Sequence, residues 1–174
     1  MTPLQSSQAP YITKPSARFM LTHPAHWIAQ GFGSGLSPIL PGTFGTLLGW
    51  LSYVVFTLRW PDLFTPLHWA GIIVAGFLLG VWSCSKTGRD LGISDHGSMV
   101  WDEIIAFWLV LIFVMPAGFW TQFCAFILFR VFDMAKPAPV GYVDKHLKGG
   151  FGVMADDIIA AFYTLLSFAV WRAI

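Results

Sequence analysis

A chain of 174 residues in which 56% are hydrophobic and only 11% charged carries far less charge than the roughly 25% usual for soluble domains, so its natural solvent is lipid. A formal net charge of +1, with no basic run and no interleaving of aromatic and basic residues, excludes an electrostatic nucleic-acid binder. The two cysteines, Cys84 and Cys124, lie in apolar stretches without metal-ligand spacing and read as small buried hydrophobes.

Residues 1–21 are polar, contain Pro3, Pro10 and Pro15, and lack an apolar core followed by a cleavage site. They are expected to form a flexible cytosolic tail, with residues 22–174 as one membrane-embedded domain. Four uncharged tracts follow: Ile39 to Leu58, Leu63 to Ser85, Ile104 to Phe129 and Ile158 to Trp171. The first two reach the about 20 residues that cross a hydrocarbon core. The third is too long for one span and is broken by Pro116, Ala117 and Gly118, so it divides into two shorter helices. The expected fold is therefore all-α, a membrane-embedded bundle of about five helices near 44–58, 67–84, 102–115, 120–133 and 156–171, with catalytic loops at its cytoplasmic end.

If these helices alternate across a bilayer, Lys14, Arg18, Lys86, Arg89, Arg130, Lys136, Lys145 and Lys148 share one side, against Arg59 and Arg172 on the other. That bias puts the N-terminus in the cytoplasm. The same side receives Asp90, Asp95, Asp102, Glu103, Asp133, Asp144, Asp156 and Asp157, and only Asp62 faces out. Small residues at helical spacing from Asp157, namely Ala160, Thr164 and Ser167, mark a face that turns this carboxylate into the bundle. Gly71, Ala75, Gly76 and Gly80 read as close helix packing.

Four constellations could carry chemistry. Gly31 to Thr46, GFGSGLSPILPGTFGT, is dense in residues whose backbone amides can turn toward a phosphate ahead of a helix N-terminus, or it is a plain helix-entry loop. Gly33, Ser34, Ser37, Gly42 and Thr43 are its candidate substrate-binding residues. Asp95 to Glu103, DHGSMVWDE, gathers three carboxylates and His96. Complementing a helix macrodipole accounts for one acid there, whereas Mg²⁺ accounts for several. Arg130 to Lys136, RVFDMAK, sets Arg130 and Asp133 three apart, where a local ion pair competes with substrate binding by Arg130. Gly149 to Asp157, GGFGVMADD, brings Asp156 and Asp157 to the start of the last helix through a glycine-rich turn. His96 is a candidate proton carrier or a local hydrogen-bonding residue.

In combination these blocks resemble the phosphatidylglycerophosphatase A family, bacterial membrane enzymes that convert phosphatidylglycerophosphate to phosphatidylglycerol. The resemblance runs from about His23 to Trp171 through GFGSGLSPILPGTFG, DHGSMVWDE, FRVFDMAKPAP and HLKGGFGVMADDIIA. It implies an all-α fold, Mg²⁺ dependence, an inner-membrane location, and an active site containing Asp95, Asp102, Glu103, Asp133, Lys136, Asp156 and Asp157. Of these, Asp95, Asp102, Glu103, Asp156 and Asp157 are the expected metal ligands, and Lys136 is expected to neutralise phosphoryl oxygens. Four residues, not the five of a cysteine-phosphatase loop, separate Cys84 from Arg89, so no covalent nucleophile is indicated. A small cation transporter using clustered carboxylates is the alternative. It would want acids near the midplane, whereas these lie at helix ends.

Overall fold

A computed structural model describes residues 14–138, 147 and 149–173. Among them every regular element is helical: α1 Ala17–Met20, α2 Pro24–Ala29, a 3-10 segment Gly31–Leu36, α3 Pro41–Arg59, α4 Pro66–Leu91, α5 Trp101–Val114, α6 Phe119–Ala135 and α7 Gly150–Ala173. The five long helices are those expected from the apolar tracts. Asp144, Lys145 and Lys148 lie outside the described residues.

Local chemistry sets the helix boundaries. Proline at the first turn opens α2, α3 and α4, where its missing N–H costs nothing. Thr65 caps α4 by accepting from the His68 amide, and left-handed Gly92 closes it, letting the Gly92 and Ile93 amides bond back to Arg89 and Gly88. Residues before Thr22 were expected to be tail, yet Ser16 caps α1, Met20 is buried, and the Phe19 ring stacks on His26 at 4.3 Å. In α2 the buried His26 is hydrogen-bonded to Thr87 (Nδ1 to Oγ1, 3.0 Å) and lies 3.1 Å from Asp90 Oδ2, which pins this short helix to the end of α4.

Beyond Asp102 and Glu103 in its first turn, helix α5 is apolar all round, and its residues from Trp101 to Trp108 are all buried. A helix of that kind belongs in a core, and α3, α4, α6 and α7 pack around it. At 14 residues it is about 21 Å long, short of the roughly 30 Å of a hydrocarbon core. Indole N–H groups tie the bundle together, Trp101 to the Gly76 carbonyl at 2.9 Å and Trp108 to the Gly49 carbonyl at 2.9 Å. The close packing expected in α4 holds at Gly76 and Gly80, where a Cβ would meet Ile105 Cδ1 at 2.4 Å and Met154 Sδ at 2.3 Å. Gly71 differs, with open space around it. Cys84 is buried as expected, but Cys124 is exposed on the outer face of α6.

Among the described residues two helices, α4 with 26 residues and α7 with 24, are by length and composition long and apolar enough to cross a membrane. Their outward faces carry Leu67, Val74, Leu78 and Trp82 on α4 and Phe162, Leu166, Val170 and Trp171 on α7, a surface compatible with lipid.

Candidate active site

The site forms where α5, α6 and α7 bring their polar ends together. Asp102 and Glu103 occupy the first turn of α5, so both lie where a helix macrodipole favours negative charge. Asp156 and Asp157 do not. Helix α7 begins at Gly150, well before the expected start, and its first turn contains no acid. The glycine-rich stretch expected to be a turn is instead helix, because α7 crosses α4 too closely for side chains: a Cβ on Gly150 would sit 2.0 Å from the Val81 carbonyl oxygen. The Gly150 amide donates to Ser85 Oγ at 3.0 Å and holds that crossing. A dipole account of Asp156 and Asp157 is thereby removed.

One carboxylate oxygen each from Asp102, Asp156 and Asp157 lies within 4.8 Å of the other two, and all three residues are buried. The Asp102–Glu103 and Asp156–Asp157 pairs share a local device. Asp102 Oδ1 accepts from the Glu103 amide at 3.0 Å, and Asp156 Oδ1 accepts from the Asp157 amide at 3.0 Å. Each bond fixes a carboxylate next to the cluster, and the other oxygen of Asp156 accepts from Lys136 Nζ at 2.8 Å. Asp157 Oδ2 is buried with no hydrogen-bond partner among the described residues. At an effective dielectric near 20, two such charges about 4.8 Å apart repel by about 3.5 kcal/mol. Three hard oxygens converging this way, on acids one of which carries a buried oxygen without a hydrogen-bond partner among the described residues, fit a divalent cation of the Mg²⁺ type.

Cations flank the cluster. Lys136 caps α6 in the left-handed conformation at φ 41°, and its Nζ lies 2.8 Å from Asp156 Oδ2. That backbone is uncommon for a residue with a side chain and turns Lys136 out of α6 toward α7. Arg130 Nη1 donates to Glu103 Oε1 at 2.9 Å and to Asp133 Oδ2 at 2.6 Å, and it lies 3.5 Å from Thr46 Oγ1. The local Arg130–Asp133 pair weighed against substrate binding is therefore formed, and Glu103, 27 residues away, joins it. Asp95 is exposed and within electrostatic reach of Asp102, Glu103 and Asp156.

The glycine-rich stretch divides in two. Ser34 Oγ donates to the Gly31 carbonyl, Ser37 Oγ to the Ile39 carbonyl, and Gly33, at φ 103°, has its nearest neighbour in Met20; these residues shape the loop locally. Gly42 faces the site instead, since a Cβ there would lie 1.8 Å from Glu103 Oε1 and 2.9 Å from Arg130 Nη2. Thr43, next to it, is half-buried in the first turn of α3. His96 Nδ1 accepts from the Ser98 amide at 3.1 Å and contacts Ser98 Oγ at 2.9 Å, which is the local structural role. Thr46 and Gly45 were missed as individual candidates, although Gly45 also abuts Glu103. Their small size within the GTFGT run was the available signal.

Comparison with known proteins places this arrangement. The family described as Phosphatidylglycerophosphatase A matches residues 27–172. The chain is 40% identical over 148 residues to the Phosphatidylglycerophosphatase A of Escherichia coli (strain K12), covering 83% of this chain and 81% of that one. It is 40% identical over 153 residues to the protein of the same name in Haemophilus influenzae, covering 87% and 91%. A Bacteroides thetaiotaomicron protein named as a putative phosphatidylinositol-3-phosphatase is 38% identical over 149 residues, covering 83% and 91%. No solved structure matches.

Proposed function

The chain belongs to the phosphatidylglycerophosphatase A family and is a phosphoric monoester hydrolase, and from that premise we propose that it removes the terminal phosphate of phosphatidylglycerophosphate at the cytoplasmic face of a bacterial inner membrane, with Mg²⁺ as cofactor. The products are phosphatidylglycerol and inorganic phosphate. The observation that carries the reading is the convergence of Asp102, Asp156 and Asp157 within 4.8 Å, with the Lys136 ammonium at its edge.

In this reading Asp102, Asp156 and Asp157 hold Mg²⁺, with Asp95 as a further acid at the exposed side. The ion supplies Lewis acidity toward the phosphoryl oxygens and a water of lowered pKa. Lys136 neutralises charge that develops on the phosphoryl group in the transition state. Arg130 fixes Glu103 and Asp133, so its role is to position those acids. Water attacks phosphorus in line with the ester oxygen, the P–O ester bond breaks, and that oxygen leaves as the glycerol hydroxyl after taking a proton. The outward apolar faces of α4 and α7 support a membrane location, and lipid supplies the substrate. Nothing in the comparisons favours cation transport.

The test is phosphate release by purified protein from phosphatidylglycerophosphate, phosphatidic acid and phosphatidylinositol 3-phosphate, with Mg²⁺ and with a chelator. Preference for phosphatidylglycerophosphate, abolished by chelation and restored by Mg²⁺, supports the proposal. Preference for the inositol lipid, in keeping with the name of the Bacteroides relative, would reassign the substrate. Activity that survives chelation would remove the metal.

A further inference from the structure

The chain leaving α6 bends around a side chain of α7. Phe132 and Lys136 lie four apart on α6 and its cap, and on α7 Asp156 and Tyr163 lie seven apart, two turns along one face. The facing residues meet: Lys136 Nζ is 2.8 Å from Asp156 Oδ2, and the Phe132 and Tyr163 rings are 5.5 Å apart. Tyr163 also reaches past the bend, where its Oη donates to the Ala138 carbonyl at 2.7 Å. It therefore touches the chain both before and after Lys136.

We propose that Tyr163 is a positioning residue, whose hydroxyl keeps the Lys136–Pro137 turn closed and so keeps the Lys136 ammonium at the acid cluster. This rests on the reading of Lys136 as the group that neutralises the phosphoryl oxygens.

The turn is strained, and the strain is what calls for a hold. Lys136 stands at φ 41° and ψ 56°, a left-handed backbone that is costly for a residue with a side chain. Pro137 adds to the cost, because its ring drives the residue before it toward extended backbone. The Lys136 amide bonds the Phe132 carbonyl at 3.0 Å, which fixes the start of the bend but not the direction in which the chain leaves it. The bond from Tyr163 to Ala138, on the far side of the strained residue, fixes that direction. Without it Lys136 can relax toward the extended region, and its Nζ swings away from Asp156, whose Oδ1 stays bonded to the Asp157 amide. Tyr163 lies about 10 Å along α7 from Asp156, so it acts through the turn and not on the reacting phosphoryl group.

The experiment uses the full chain in phosphatidylcholine nanodiscs and the variant Tyr163→Phe, which keeps the ring against Phe132 and removes only the hydroxyl. Acetylation by acetic anhydride under chelation, read by mass spectrometry, reports how firmly Lys136 is held. Its labelling relative to Lys86, which pairs with Asp90 on α4, should rise about threefold or more in the variant. With Mg²⁺ and phosphatidylglycerophosphate, kcat should fall about three- to tenfold with KM little changed. In a Lys136→Met background the same substitution should leave kcat unchanged, because the group it positions is gone. Ser167→Ala removes another α7 hydroxyl, one bonded to the Tyr163 carbonyl, and should alter neither readout. Unchanged Lys136 labelling in Tyr163→Phe, a loss of thermal stability with kcat intact, or an equal loss of kcat with and without Lys136 would each overturn the proposal. A fully active Lys136→Met sinks the reading of Lys136 and this proposal with it. Wild-type protein that releases no phosphate from this lipid sinks the substrate reading separately, because the labelling is read without turnover and still decides whether Tyr163 holds the lysine.

Discussion

The Lys136 ammonium lies 2.8 Å from Asp156 Oδ2, on the same carboxylate whose other oxygen accepts the Asp157 amide. One residue thus links the end of α6 to the acid cluster on α7. Because Asp156 is 4% exposed, its charge depends on that contact far more than a surface ion pair would.

Lys136→Met keeps much of the stem and removes the charge. If the ammonium stabilises the phosphoryl group in the transition state, kcat should fall on the order of 10² to 10³. Asp156, relieved of its cation, should also leave the cluster more negative, so the Mg²⁺ concentration giving half-maximal rate should drop. A purely structural Lys136 would lower thermal stability while leaving kcat per folded molecule intact. A folded, fully active variant removes it from the chemistry.

Asp102→Asn and Asp157→Asn each delete one of three mutually repelling charges held within 4.8 Å. At about 3.5 kcal/mol per pair, the metal-free protein should keep or gain thermal stability even as activity collapses. Wild-type protein should be stabilised by added Mg²⁺ in proportion to its occupancy, and both variants should lose most of that increment. Unfolding of both variants would mark these carboxylates as structural, and full activity in both would exclude them as ligands.

Two glycines on neighbouring helices should respond oppositely to alanine. At Gly42 the new methyl would lie 1.8 Å from Glu103 Oε1, which forces Glu103 off Arg130; a loss of roughly 1–3 kcal/mol is expected, with reduced activity. At Gly71, exposed in the second turn of α4 with nothing within 4 Å, alanine should be neutral or stabilise by about 0.5–1 kcal/mol. Thermal unfolding of the pair in one detergent decides this, and a neutral Gly42→Ala would show that Glu103 can move freely.

The helices were legible because their cause is local. Apolar tracts of about 20 residues and the Pro116–Gly118 break mark α3, α5 and α6 to within three residues and the start of α4 to within one, whereas α4 runs on through the polar residues after Ser85 to Leu91, seven residues past its expected end. Helix α7 was cut short because Gly149, Gly150 and Gly152 look like a turn, and only the approach of Val81 shows why glycine is needed inside a helix there. Short α1 and α2 carry too little periodicity to register. The acids were legible as a set, but which three converge was not, since that depends on how α5 and α7 cross. The contact of Glu103 with Arg130 is likewise set by tertiary packing, whereas Arg130 with Asp133 follows from helical spacing.

His26 gives a pH dependence separate from the site. Burial pushes its imidazole below the ordinary 6.5, Asp90 opposes that shift, and Lys86 and His23 reinforce it. The folded state therefore keeps His26 neutral while the unfolded chain takes up a proton. Stability from this source is complete above about pH 6.5 and is lost as pH falls through that value toward the lower folded one, with a slope of at most about 1.4 kcal/mol per pH unit. Melting temperatures across this range should fall less steeply in His26→Gln than in the wild type. Equal slopes would show that other groups set the acid limit.

The final prediction concerns which end of the bundle faces the cytoplasm. Gly150 bonded to Ser85, Arg130 to Glu103 and Lys136 to Asp156 gather the end of α4, the start of α5, the end of α6 and the start of α7 at one end, with Lys86 and Arg89 beside them. Arg59 and Arg172 belong to the opposite helix ends. In a bilayer, positively charged short loops stay in the cytoplasm, so the charged end is expected there. Single cysteines at Ser94 and Gly149, in a background lacking Cys84 and Cys124, should react with a membrane-impermeant maleimide only after the inner face is opened. A cysteine at Asp62 should react in intact cells. The native thiols must be removed because Cys124 is exposed, while Cys84 is buried and its loss tests the fold of that background. Reaction of Ser94→Cys or Gly149→Cys in intact cells would invert the topology and put the acid cluster on the wrong side for a cytoplasmic enzyme.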